Sequence, residues 1–96
     1  MDCIYLGNIP TTKENFYKAD EACIVNIHVC NGHNSAVTVT IALNMAGGTS
    51  ISIYQKSMSA GETFTLTDIY LKEGMIINGT AGTGGVVGIK LDKQWN

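Results

Sequence analysis

Two stretches of the chain alternate in hydrophobicity every second residue, and this alternation constrains the fold more than any other feature. Cys23, Val25, Ile27 and Val29 alternate with Ile24, Asn26, His28 and Cys30, and Val37, Val39, Ile41 and Leu43 alternate with Thr38, Thr40 and Ala42. That period belongs to a strand with one face buried. No comparably long window keeps the 3.6-residue period of an amphipathic helix, so helix content is expected to be minimal. Composition points the same way. Ile, Val and Thr together supply 27 of the 96 residues, and β-branched side chains favour the pleated surface of a strand.

Further strand signals follow along the chain. Ile51, Ile53 and Tyr54 open a third strand running to about Met58, and Ala60, Gly61 and Glu62 form a tight reversal into the alternating segment 63–67. Lys72, Glu73 and Gly74 turn the chain into segment 75–79, and the glycine-rich 81–85 connects to a last strand over 86–91. Two weaker strands, at 3–6 and 16–19, flank the single proline, Pro10. Between the two alternating stretches, residues 31–35 form a turn cluster, which predicts a hairpin. Seven or eight short strands at this spacing predict an antiparallel β-sandwich, either jelly-roll or Ig-like. Residues 1–92 are expected to form one domain and 93–96 a C-terminal tail. Val25, Ile27, Val29, Val37, Val39, Ile41, Leu66, Ile77 and Ile89 are the expected core.

Charge narrows the function classes. Six lysines stand against eight acidic residues, for a net charge of −2, and there is no arginine. Without basic stripes or the bidentate guanidinium fork, nucleic acid is not an expected partner. No apolar run approaches the roughly 18 residues of a membrane span, so no membrane is expected either. Cys3, Cys23 and Cys30 are odd in number and lack C-x-x-C spacing, which predicts free thiols in a reducing compartment. Cys23 and Cys30, seven residues apart in one strand, would lie about 23 Å apart, beyond disulfide reach. The opening residues have neither the basic nor the long apolar region of a secretion signal.

No motif assigns a catalytic, cofactor-binding or metal-binding residue. Gly82, Gly84 and Gly85 lie between two strands, whereas a phosphate loop opens a helix. His28, Cys30 and His33 are zinc-ligand types without zinc-ligand spacing. A Cys–His nucleophilic pair would need an orienting third group and an oxyanion hole, and neither is visible. Asp20, Glu21 and Asp68 lie in or beside expected turns without the carboxylate spacing of a calcium loop. Asn78, Gly79 and Thr80 fit a glycosylation pattern but read more simply as a strand-ending turn. The mixed strand face of Ile24, Asn26, His28 and Cys30, together with Trp95 in the tail, is the candidate apolar centre of an interface. Segments 38–40 and 63–67 carry no charge, and uncharged sheet edges invite pairing with another chain.

The order of several segments resembles a known group. Ile4-Tyr5-Leu6-Gly7-Asn8-Ile9-Pro10 is followed by Phe16-Tyr17-Lys18-Ala19, then Ala22-Cys23-Ile24-Val25-Asn26-Ile27-His28-Val29-Cys30-Asn31 and Ser35-Ala36-Val37-Thr38-Val39-Thr40-Ile41. Ser59-Ala60-Gly61-Glu62-Thr63 and Ile69-Tyr70-Leu71-Lys72-Glu73-Gly74-Met75-Ile76 complete the set. Together they resemble the small β-sandwich virion proteins of tailed bacteriophages, including capsid decoration and tail-associated subunits. The resemblance implies a non-enzymatic structural protein of the virion, made in the bacterial host cytoplasm, with no cofactor. It implies other virion structural proteins as partners, and a homo-oligomer whose three-fold symmetry comes from the resemblance alone. A carbohydrate-binding β-sandwich module is the alternative from another class, and needs solvent-facing aromatics or a calcium-supported pocket.

Overall fold

A computed structural model describes residues 2–45 and 47–94. Eight strands follow one another: β1 (Asp2–Asn8), β2 (Glu14–Lys18), β3 (Cys23–Asn31), β4 (Val37–Asn44), β5 (Ser50–Met58), β6 (Thr63–Leu71), β7 (Ile76–Ala81) and β8 (Val87–Lys93). The described residues contain no helix. Two four-stranded sheets form, in the orders β1-β8-β3-β6 and β2-β7-β4-β5, and all pairing is antiparallel. β1 pairs with β8, β2 with β7, β3 with β6 and β4 with β5. The chain is thus one long hairpin with its tip between β4 and β5. Pairing of β3 with β8 and of β4 with β7 stitches the rolled ribbon into its two sheets. This is the jelly-roll form of the sandwich.

The roll corrects one sequence expectation. β3 and β4 do not form a hairpin, because they lie in opposite sheets. Both edges of β3 are already occupied, by β6 and β8, which leaves no place beside it for β4. The 60–62 reversal crosses between sheets too. In the described strands, only β4 and β5 are both consecutive and adjacent in one sheet.

Asn31, at the end of β3, is completely buried and holds this crossing in place. Its Nδ2 donates to the carbonyls of Ser35 (3.1 Å), Met58 (3.0 Å) and Ser59 (3.2 Å). Its Oδ1 accepts from the His33 N–H at 2.9 Å. Its backbone N–H donates to the Glu62 carbonyl, and its own carbonyl accepts from the Gly61 N–H, both at 2.9 Å. One residue thus ties the β3–β4 crossing to the β5–β6 turn.

The core lies where the alternation puts it. Val25, Ile27, Val29, Val37, Val39, Ile41, Ile77 and Ile89 are at most 2% exposed. Leu66 is half-buried and packs against the same cluster, because β6 is an edge strand. Aromatic pairs close the two long sides of the sandwich. Tyr5 of β1 meets Phe16 of β2 with ring centroids 5.0 Å apart, and Tyr54 of β5 stacks on Phe64 of β6 at 3.7 Å. Burial raises the Tyr5 phenol pKa, and the hydroxyl's bond to Glu14 at 3.0 Å raises it further.

Two other expectations change. Asn78-Gly79-Thr80 is not a turn but the middle of β7, with Asn78 buried and its Nδ2 donating to Asn44 Oδ1 at 2.7 Å. β8 runs through Lys93, and the Gln94 N–H donates to the Ile24 carbonyl at 2.8 Å, so half of the expected tail belongs to the sandwich.

Two substitutions test this packing. A Cβ on Gly79 would lie 2.7 Å from the Thr40 carbonyl oxygen and 3.2 Å from the Phe16 ring. Gly79→Ala should therefore cost about 1–3 kcal/mol of unfolding free energy in a urea titration. Asn31→Ala should cost about 2–3 kcal/mol, because it leaves buried carbonyls without a donor. Asn31→Asp, isosteric but unable to donate, should be no milder.

Candidate functional site

β3 lies inside its sheet, so its even-numbered side chains point to the outer face in rows set by the register. One row comprises Leu6, Lys90, His28 and Thr65, from Leu6↔Lys90, His28↔Lys90 and His28↔Thr65. The next comprises Asn8, Gly88, Cys30 and Thr63. The second row is the lower, because Gly88 has no side chain and Cys30 and Thr63 have short ones. Between the rows lies an open trough of about 610 Å³, crossing all four strands. A Cβ built on Gly88 meets nothing within 4 Å, so the floor is open at that point.

The taller row is fixed by hydrogen bonds. His28 Nε2 lies 3.0 Å from Asp92 Oδ2, and Nδ1 lies 3.3 Å from Thr65 Oγ1. Lys90 Nζ approaches the other Asp92 oxygen at 3.5 Å. The Asp92 side chain is 8% exposed, against 42% for His28 and 48% for Lys90. A buried carboxylate requires such partners. Hydroxyl, imidazole and carboxylate here have the connectivity of a nucleophilic triad. Thr65, however, stands in the middle of a strand, whereas oxyanion holes form where paired N–H groups converge on the reacting oxygen. The arrangement is a fixed polar wall.

The expected interface residues separate. His28 and Cys30 both line the trough. Ile24 lies beyond it, opposite Tyr70, and is half-buried. Asn26 is only 8% exposed and holds a bulge in β6. Its Oδ1 accepts from the Asp68 N–H at 3.0 Å and from Gln94 Nε2 at 3.0 Å, and Gln94 Nε2 also reaches Asp68 Oδ1 at 2.9 Å. Asp68 has a left-handed backbone, φ 59°, which aspartate adopts more readily than most residues. Asn26 thus braces the β6 bulge, and of the four expected β3 interface residues His28 and Cys30 are the two that line the trough. Trp95 lies outside the described residues. Among the described residues no three His, Cys, Asp or Glu side chains gather to hold a metal ion.

Sequence reasoning missed Leu6, Thr65, Gly88, Lys90 and Asp92. The alternation of Gly88, Lys90 and Asp92 against Val87, Ile89 and Leu91 marks them as outward-facing. Which strand they face depends on the register, and no local signal carries that. Compared with protein-family models and with curated protein sequences, the chain matches none. The class that fold and site define is an eight-stranded jelly-roll sandwich with a polar-walled trough on one outer face.

The His28–Asp92 bond has a measurable consequence. His28→Ala should lower the unfolding free energy by about 1 kcal/mol, and a double-mutant cycle with Asp92→Ala should return a coupling of at least about 0.5 kcal/mol. Additive effects would show that the wall is not a unit.

Proposed function

We propose that the chain is a non-enzymatic structural subunit of a tailed-bacteriophage virion that binds a capsid or tail lattice through protein–protein contacts. The observation that carries this reading is the side of the sandwich where edge strands β5 and β6 face each other. Both are nine residues long, and each has one edge unpaired within its sheet. Ile51 is 51% exposed there, and Ile53, Leu66 and Ile69 are partly buried against the core. Charge is sparse. Lys56 is the only charged residue on β5, and its ammonium is paired with Glu62 at 2.6 Å; β6 carries only Asp68.

A long edge with few charges is a template for pairing unless another chain covers it. Symmetric contact between copies covers such an edge and closes a ring. Segment 63–67 is on this edge, as the sequence suggests, whereas 38–40 lies inside its sheet on β4. Jelly rolls are common in viral capsids, and the sequence resemblance points to the same class. Lectins share the architecture, so a carbohydrate-binding module remains the second reading. It is favoured by the hydroxyls of Thr63 and Thr65 in the trough and weakened because, among the described residues, no exposed aromatic ring lines it.

Light scattering at tens of micromolar should report a homo-oligomer, with a trimer the form carried over from the resemblance. Ile51→Lys should shift it toward the monomer. Mass spectrometry of gradient-purified particles of the encoding phage should find the chain at high copy number. Its absence from particles, or glycan-array binding with a defined sugar preference, would overturn the reading.

A further inference from the structure

We infer that the trough on the outer face of the β1-β8-β3-β6 sheet is a docking site for a short, extended, acidic peptide segment of a partner protein. The inference rests on the lattice-binding reading and names the chemistry of the contact. Its dimensions come first. A volume of about 610 Å³ is within the range of binding clefts, roughly 300–1,000 Å³. Crossing four strands makes it about 14 Å long, the span of about four extended residues.

Direction decides the mode of recognition. A segment in this trough runs across the strands, and β8 and β3, which form its middle, are hydrogen-bonded on both edges. Strand addition is therefore excluded at this site, and side chains must do the recognising. The floor of Gly88, Cys30 and Thr63 admits a thin occupant, and Leu6, 75% exposed, gives one end an apolar wall.

Charge selects the occupant. Among the described residues, Lys90 is the one permanently charged side chain lining the trough, and no carboxylate lines it. The nearest carboxylate, Asp92, is buried beneath the wall with its oxygens facing His28 and Lys90. An ammonium has three protons, so the single 3.5 Å approach to Asp92 leaves Lys90 able to donate to an incoming carboxylate. Lys90 thus offers the trough one ammonium donor in a chain whose net charge is −2. A pyranose, by contrast, would find no ring to stack on among the described residues, because Phe64 is turned inward against Tyr54.

The test is an NMR titration of the full chain with an acetylated, amidated hexapeptide alternating glutamate and valine. Its glutamine counterpart and trigalacturonate serve as comparison arms. The glutamate peptide should shift the amides of Leu6, His28, Cys30, Thr63, Gly88 and Lys90, and added sodium chloride should weaken the binding. Lys90→Gln should weaken it roughly tenfold while Lys90→Arg retains it. Gly88→Leu places a side chain where nothing lies within 4 Å, so it should abolish binding with an unchanged thermal midpoint. Equal shifts from the glutamine peptide, shifts from trigalacturonate alone, or no shift in the trough would overturn the proposal. If the chain is nevertheless found in purified particles, the docking site fails and the structural role stands; if it is missing from them, the structural role fails.

Discussion

The fold depends on a buried amide. A hairpin turn and a crossing between sheets can be written with the same residues, because glycine, asparagine and serine suit both. Here Asn31 selects the crossing. Its side chain faces three carbonyls, one at the end of β5 and one on the segment that joins β5 to β6. A donor with nothing apolar to offer is tolerated in a core only when its bonds are made. Asn31 meets that condition here, where the chain leaves β3 toward the opposite sheet. Once the crossing is fixed, β3 is free to pair with β6 and β8, and the ribbon must roll. One asparagine therefore links a local turn to the topology of both sheets.

The rolled topology also creates the trough. Leu6, His28, Thr65 and Lys90 come from four strands spread over the length of the chain, and only the register brings them into one row. The next row is low because Gly88 falls between Asn8 and Cys30. Neither row exists in any local stretch of sequence. The Asp92 carboxylate beneath His28 fixes the imidazole, so the wall is set before anything binds. Such order lowers the entropy cost of binding.

What could be read from the sequence follows the range of each signal. Inner-face residues of β3 and β4 were legible because alternation is local and burial enforces it. The jelly-roll and Ig-like forms could not be separated, because they differ in connections and not in strand patterning. Asn78 looked like a turn residue because an Asn–Gly pair usually is one. In the structure Gly79 serves instead as the place where Phe16 and the Thr40 carbonyl come close, a tertiary requirement. Asn26 and His28 have the same parity in β3, so the alternation alone puts them on one surface. A bulge in β6 covers the first and leaves the second open, and the bulge is held by Asp68 and Gln94, 42 and 68 residues from Asn26.

The two candidate contact surfaces make different physical demands, and the fold places them accordingly. Edge pairing requires unpaired backbone groups, which only outer strands possess, and β5 and β6 supply them beside a partly open apolar strip. Side-chain recognition requires a rigid base, and β3 and β8, paired on both sides, supply that. Asn26 lies where the two regions meet. By holding the β6 bulge it shapes the edge, and its strand neighbour His28 forms part of the trough wall. A change at Asn26 would therefore alter the twist of the edge and the seating of the wall together. The edge and the trough share Thr63 and Thr65 of β6, and their geometry has a common support in β3.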